Sequence, residues 1–310
     1  MPPIAQPYIR YNDLAFESWC LRGKKNSHKD AKRKSILRTG NIRDLKNTLT
    51  ILALLCCMSS FSQQESKRWL KGMYLQWGYN TEWYTQSNLH FSNPGKYDFT
   101  LYQVTAKDKP DLDAVVKEPV QITIPQCNYR IGFYLDDKRR SAIEINFDHA
   151  KYVMIANQTL RMKGTLDGRY IDKDTLVQPY SFLSFEHTNG ANFFHINYVY
   201  QQGLLPHAGR DWLHFVGKAG AGIVVPRTDV YLFGHHLDNK YHVAGYILSV
   251  EAGLRYYMLR KLFLETTIKS GFADYLNVLT VEGGRSNHCF GYFEMIAGVG
   301  YDINFGKKKH

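Results

Sequence analysis

From residue 73 onward apolar and polar residues take turns over runs of about ten positions, and the runs recur to the C-terminus. In MYLQWGYNTEWY, Met73, Leu75, Trp77 and Tyr79 fall on one face and Gln76, Gly78, Asn80 and Glu82 on the other. Tyr129, Ile131, Phe133 and Leu135 alternate with Arg130, Gly132 and Tyr134. A polar turn over 136–140 follows, and Ile143, Ile145 and Phe147 then alternate with Glu144, Asn146 and Asp148. Two period-two runs around a short polar turn predict a β-hairpin. The pattern continues in NFFHINYVYQQ, WLHFVGKAGAGIVV, YILSVEAGLRYYM, LFLETTIKSGF and YFEMIAGVGYDINF. That makes eight strands, each close to the roughly 9–11 residues of a tilted membrane strand.

The connections alternate in length. Short ones fall at 136–140, 203–211 and 259–261, and long ones near 85–125, 152–182, 228–241 and 280–289. Short turns at one end and long loops at the other are the asymmetry of a transmembrane barrel. The expected fold class is all-β: an eight-stranded antiparallel up-and-down transmembrane β-barrel with short periplasmic turns and four longer outer loops. A soluble lipocalin-like barrel also alternates, but its apolar face points inward and nothing makes its loop lengths alternate. The last strand ends on Phe305, ahead of GKKKH. On this pattern, residues 70–306 resemble the eight-stranded OmpA-type outer-membrane barrels of Gram-negative bacteria. The resemblance implies a monomer in the cell outer membrane, touching outer-membrane lipid and lipopolysaccharide. It also implies insertion by the outer-membrane barrel assembly machinery, for which a C-terminal strand closing on an aromatic residue is the recognition signal.

The N-terminal part is of another kind. Residues 45–64, LKNTLTILALLCCMSSFSQQ, place Lys46 before an apolar run from Leu49 to Met58, then small residues at Ser60 and Ser62. This is the order of a secretory signal peptide over 45–62, cleaved before Gln63, and the run is too short to span a membrane. Leu54 and Leu55 before Cys56 argue against a lipoprotein anchor. Residues 1–44 are a basic extension without apolar periodicity. It is either a long n-region or a stretch upstream of a true start at Leu45, and so either disordered or not translated. Through Ser62 the chain holds 11 Lys and Arg against 4 Asp and Glu, +7 of its total +11. The basic balance therefore belongs mostly to the leader, and an export signal behind a basic stretch excludes a nucleic-acid-binding reading. The outer-membrane domain is expected over 63–310. Only Cys127 and Cys289 remain after cleavage, too few for a disulfide framework. Both are expected at the outer rim, and whether they pair is left open.

The inward face would carry Glu82, Glu144, Glu251, Glu265 and Glu294 with Arg130, Lys218, Arg255 and Lys269. Near-balanced charge in a lumen just wide enough for side chains predicts an internal ion-pair network, plugging the barrel. Inward glycines such as Gly220, Gly222, Gly298 and Gly300 suit a crowded interior.

Candidate chemistry is sparse. FEHTNGANFFHINY resembles the active-site stretch of PagL-type lipid A deacylases, which implies a hydrolase of Glu186, His187 and Thr188. That family uses His-x-Ser-Asn, however, and here Asn189 stands at the nucleophile position. Thr188 adjoins His187 and so leaves the opposite face of a regular strand. His235, His236, Asp238 and His242 cluster in the third long loop, with His288 in the fourth, as a candidate metal set whose spacing matches no closed site. No cofactor is implied. His149 and Lys151 lie near the outer rim, where cations meet lipid phosphates or snorkel. The function read from the sequence is a plugged outer-membrane barrel with a structural or loop-mediated binding role. The alternatives are a lipid-modifying outer-membrane hydrolase, or a secreted soluble barrel binding a small apolar ligand.

Overall fold

A computed structural model describes residues 70–110, 117, 126–188, 190–207, 210–281 and 283–305. The extension, the signal segment and the cleavage before Gln63 lie outside the described residues. In chain order the strands are β1 (Gly72–Tyr84), β2 (Ser87–Asn93), β3 (Tyr97–Val104) and β4 (Ala106–Lys107). The hairpin of β5 (Cys127–Tyr134) and β6 (Ser141–Asp148) follows. Next come β7 (Tyr152–Met154), β8 (Gln158–Leu166), β9 (Arg169–Val177) and β10 (Leu183–His187). Then come β11 (Phe193–His207), β12 (Arg210–Val224), β13 (Asp229–Leu232) and β14 (His235–Asp238). The chain closes with β15 (Gly245–Tyr257), β16 (Leu262–Leu279) and β17 (Arg285–Asn304).

Eight of these form the barrel, in the order β1-β5-β6-β11-β12-β15-β16-β17, all antiparallel. β1 also pairs with β17, from Gly72 opposite Asn304 to Tyr84 opposite Tyr292, so the ladder has no free edge. The β5–β6 turn is tied by Asp136, whose carboxylate accepts from the backbone N–H of Arg140 at 3.2 Å and of Ser141 at 2.7 Å. Alternation sorts the faces. Outside, Ile196, Val250 and Ile268 are each at least 60% exposed, and Leu75, Ile131, Ile145, Leu254 and Met295 are exposed with them. Across five neighbouring strands, Tyr129, Phe147, Phe194, Ile223 and Tyr246 form one outward row in register. On β15 the apolar outward positions run from Tyr246 to Tyr256 and on to Met258. At a tilt of about 40° that stretch spans roughly 30 Å, the thickness of a bilayer's hydrocarbon core. Inside, buried charged and amide side chains are joined by inward aromatics and a small apolar cluster that includes Val199, Val216 and Phe263. This is the inverse of a soluble barrel.

Glycine makes room for the inward aromatics. A Cβ on Gly132 would fall on the Tyr74 ring, and one on Gly300 on the Phe263 ring.

The outer connections depart from expectation. In place of plain loops they hold nine further described strands. Past Tyr84 the chain bends at Thr85, whose backbone N–H donates to the Gly291 carbonyl at 2.9 Å. β2 then takes over from β1 beside β17 and continues the sheet through β3, β8 and β9. A second sheet runs β14-β13-β10-β7-β4. The expected loop near 280–289 is only a turn, because β16 and β17 extend as a hairpin to Leu279 and Arg285. One apolar core joins the sheets: Leu89, Phe91, Phe99 and Leu101 from the first, Tyr152, Leu183, Phe185 and Leu232 from the second. Phe193, Val224, Ile247, Tyr275, Phe290 and Tyr292 of the barrel wall belong to the same core. The outer connections thus make a folded cap, continuous with the upper wall.

Candidate functional site

The inward alternate positions of all eight barrel strands converge in the lumen, where the structure brings together the nine charged residues expected there. All nine are buried. Two clusters form. In the inner one, Arg130 Nη1 lies 2.6 Å from Glu251 Oε1 and 3.4 Å from Glu265 Oε1. Lys218 Nζ reaches Glu144 Oε2 at 3.0 Å, Glu265 Oε1 at 2.8 Å and Glu251 Oε1 at 3.4 Å. Arg255 Nη2 meets Glu265 Oε2 at 2.6 Å, and its guanidinium lies 4.1 Å from the Phe263 ring centroid and 4.5 Å from that of Tyr74. The Tyr74 hydroxyl and the Asn197 amide donate to Glu144 at 2.5 and 3.0 Å. Three bases face three acids, each touching more than one partner, and such pairing is what offsets the cost of burying charge.

The outer cluster is built differently. Lys269 is shared between Asp148 and Glu294, the latter at 3.0 Å. Glu82 sits in the lumen as expected but in no described ion pair: Asn80 donates to it at 2.5 Å and Gln126 at 2.6 Å. Asn80 also reaches Glu294 at 2.9 Å, and Gln126 reaches Asp108 at 2.7 Å. Here one amine serves several carboxylates, and amide donors supply the rest.

Among the described residues, three further Asp and Arg side chains join the nine. Asp148 ends β6 and pairs with Lys269. Asp302, on the inward set of β17, accepts from Tyr134 and Arg139, each at 2.8 Å. The alternation placed both aspartates inward; Arg139 belongs to a turn and carries no such signal. The network extends to the short-turn end of the barrel, where Gln201 also binds the Arg139 carbonyl and Arg255 reaches Tyr134 at 3.2 Å.

The hydrolase residues do not converge. His187 is buried in the cap with Nδ1 2.9 Å from Thr228 Oγ1, while Thr188 donates to Glu186 at 2.9 Å on the other side of the strand. Asn189 lies outside the described residues. The metal candidates are also engaged separately. His236 bonds Asp229 at 2.7 Å and stacks on Tyr231, Asp238 holds Arg227, and His242 Nε2 lies 2.6 Å from the Asn277 carbonyl. His235 is exposed on β14. Among the described residues no group of three or more His, Cys, Asp or Glu is arranged to hold a metal ion. Near the rim, His149 bonds Asn192 at 2.9 Å and Lys151 Nζ lies 3.4 Å from the Lys109 carbonyl.

Cys127 and Cys289 are free thiols, the first buried and the second exposed. The expected shared neighbourhood at the rim is corrected by the length of β17. Cys127 is level with Tyr79, and Tyr79 with Ala297. Cys289 stands eight residues farther along β17, roughly 26 Å along the strand axis in addition to lying two strands away, far past the ~7 Å limit for a disulfide. A thiol-labelling experiment on the native protein is expected to modify Cys289 quickly and Cys127 slowly, with no added label after reductant. Reductant-dependent labelling of both would contradict this geometry.

No family model and no curated protein matches the chain. Among solved structures it is similar to Neisserial surface protein A, at 12% identity and a TM-score of 0.34, covering 75% of this chain and 97% of that one. It is also similar to the outer membrane protein OprG of Pseudomonas aeruginosa, at 10% identity and 0.37, covering 76% and 97%. A third is the outer membrane protease OmpT of Escherichia coli, at 6% and 0.36, covering 78% and 100%. With identities and scores this low, the assignment as a closed eight-stranded antiparallel barrel rests on this chain's own strand pairing.

Proposed function

We propose that this protein is a monomeric outer-membrane barrel with a sealed lumen, whose task is to anchor the folded cap and present its surface for binding. One observation carries the reading: polarity is inverted relative to a soluble barrel, with apolar residues exposed over the outside and ion-paired side chains filling the inside. That inversion disfavours the secreted ligand-binding alternative, and the separation of His187 from Glu186 and Thr188 disfavours the hydrolase. In the same reading the chain is cleaved before Gln63, reaches the membrane through the barrel assembly machinery, and touches outer-membrane lipid and lipopolysaccharide.

The test is fractionation with gel mobility and conductance. The protein is expected in the outer-membrane fraction, migrating faster unheated than boiled because a closed ladder has no edge from which to unravel. In planar bilayers it is expected to show no large, steady conductance. Recovery in the soluble periplasm, or a wide ohmic pore, would overturn the proposal.

A further inference from the structure

Large apolar side chains on the outward face of β17 stop at Phe293, above which the outward positions are Gly291, Cys289, Asn287 and Arg285; His288 lies on this upper stretch and packs on Phe185 of the cap. It faces His187 of β10, with ring centroids 5.8 Å apart. The two residues belong to different bodies: β10 to the second sheet of the cap, β17 to the barrel wall. Around them the cap sheet supplies Tyr152 and Phe185, and the wall supplies Tyr275 and Phe290. Both histidines are buried, at 0% and 2% exposure. His187 bonds Thr228 through Nδ1, while its Nε2 and both ring nitrogens of His288 make no hydrogen bond. Among the described residues, the titratable groups packed on the pair are the phenols Tyr152 and Tyr275, and the only other one acting on it is His242; no described carboxylate does.

We propose that this joint is an acid-sensitive latch: charging the paired imidazoles parts the cap sheet from the barrel wall and exposes the aromatic core between them. The physical basis is desolvation without compensation. Burial holds His187 well below the ordinary imidazole range, with His288 and His242 adding to it, and burial pushes His288 down to about 3. A parted joint takes up protons below about pH 6.5 and the closed joint does not. The stability of the joint is therefore intact above that pH and falls as pH drops from about 6.5 towards about 3. Each histidine shifts the open-to-closed ratio roughly tenfold per pH unit within this window, about thirtyfold between pH 6.5 and 5.0.

Hydrogen exchange of the full chain in detergent micelles, at pH 7.5 and 5.0 and corrected for intrinsic rates, tests this. Protection in β7, β10 and β13 is expected to fall roughly a thousandfold at pH 5.0, about thirtyfold from each histidine, while β5 and β6 of the barrel hold theirs. His288→Phe keeps a ring among Phe185 and Phe290 and is expected to halve the logarithm of that drop; His236→Gln, on the exposed face, leaves it unchanged. Flat cap protection between the two pH values in the unmodified protein would overturn the latch, whatever the variants do. So would an undiminished drop in His288→Phe, or an equal loss of protection in the barrel strands.

Discussion

Lys269→Met is expected to destabilise the barrel by about 3–5 kcal/mol, the range found when one partner of a buried ion pair is removed. Lys269 is the one amine bonded to both Asp148 and Glu294, and Glu82 stands close behind through Asn80. Methionine fills the same space, so packing changes little and the cost comes from stranded negative charge. The inner cluster lacks this vulnerability, since Glu265 contacts Arg130, Lys218 and Arg255 together. Urea titration read by the unheated gel shift would report the loss. Adding Asp148→Asn and Glu294→Gln to the same chain is expected to restore most of it. If Lys269→Met unfolds at the urea concentration of the unmodified protein, the outer cluster is not held by that amine.

Phe91→Ala is expected to cost a similar amount, about 3–5 kcal/mol, but in the cap alone. Phe91 is fully buried, stacked on Phe99 at 5.4 Å and set edge-on to Phe185 at 5.8 Å, so it ties β2 and β3 to the second sheet. Truncation leaves a cavity where three rings meet. Limited proteolysis should open new cleavage sites within 87–104 and 158–177, while the heat-dependent gel shift persists. Simultaneous loss of the gel shift would mean that cap and barrel unfold as one unit.

The barrel was legible because one rule governs its whole length. A wall with lipid on one side and packed side chains on the other forces period-two alternation, and all nine charged residues named from it are buried inside. The cap obeys a similar rule but was hidden by its setting. Asp167-Gly168, with φ of 49° and 74°, is the two-residue turn that favours a hairpin, and Phe91, Phe99 and Leu101 alternate as regularly as any barrel strand. Connection length alone assigned these stretches to loops. The partnering inside the lumen was less legible than its membership. Alternation says that Glu82 points inward, but its amide donors come from Asn80 two residues away and from Gln126, just ahead of β5. The distant thiols show the same limit: strand ends decide relative height, and the overhang of β17 leaves no mark in local pattern.

That overhang bears on how the molecule takes load. β17 is a single strand of 20 residues, bonded to β1 and β16 within the wall and to β2 and β16 above it. Tension applied to the cap runs along this strand, at right angles to its inter-strand hydrogen bonds. Bonds pulled in that direction strain together, as rivets in a lap joint do, instead of opening one after another like a zip. A tug that would peel an ordinary loop from its stem is spread over the full height of the barrel wall.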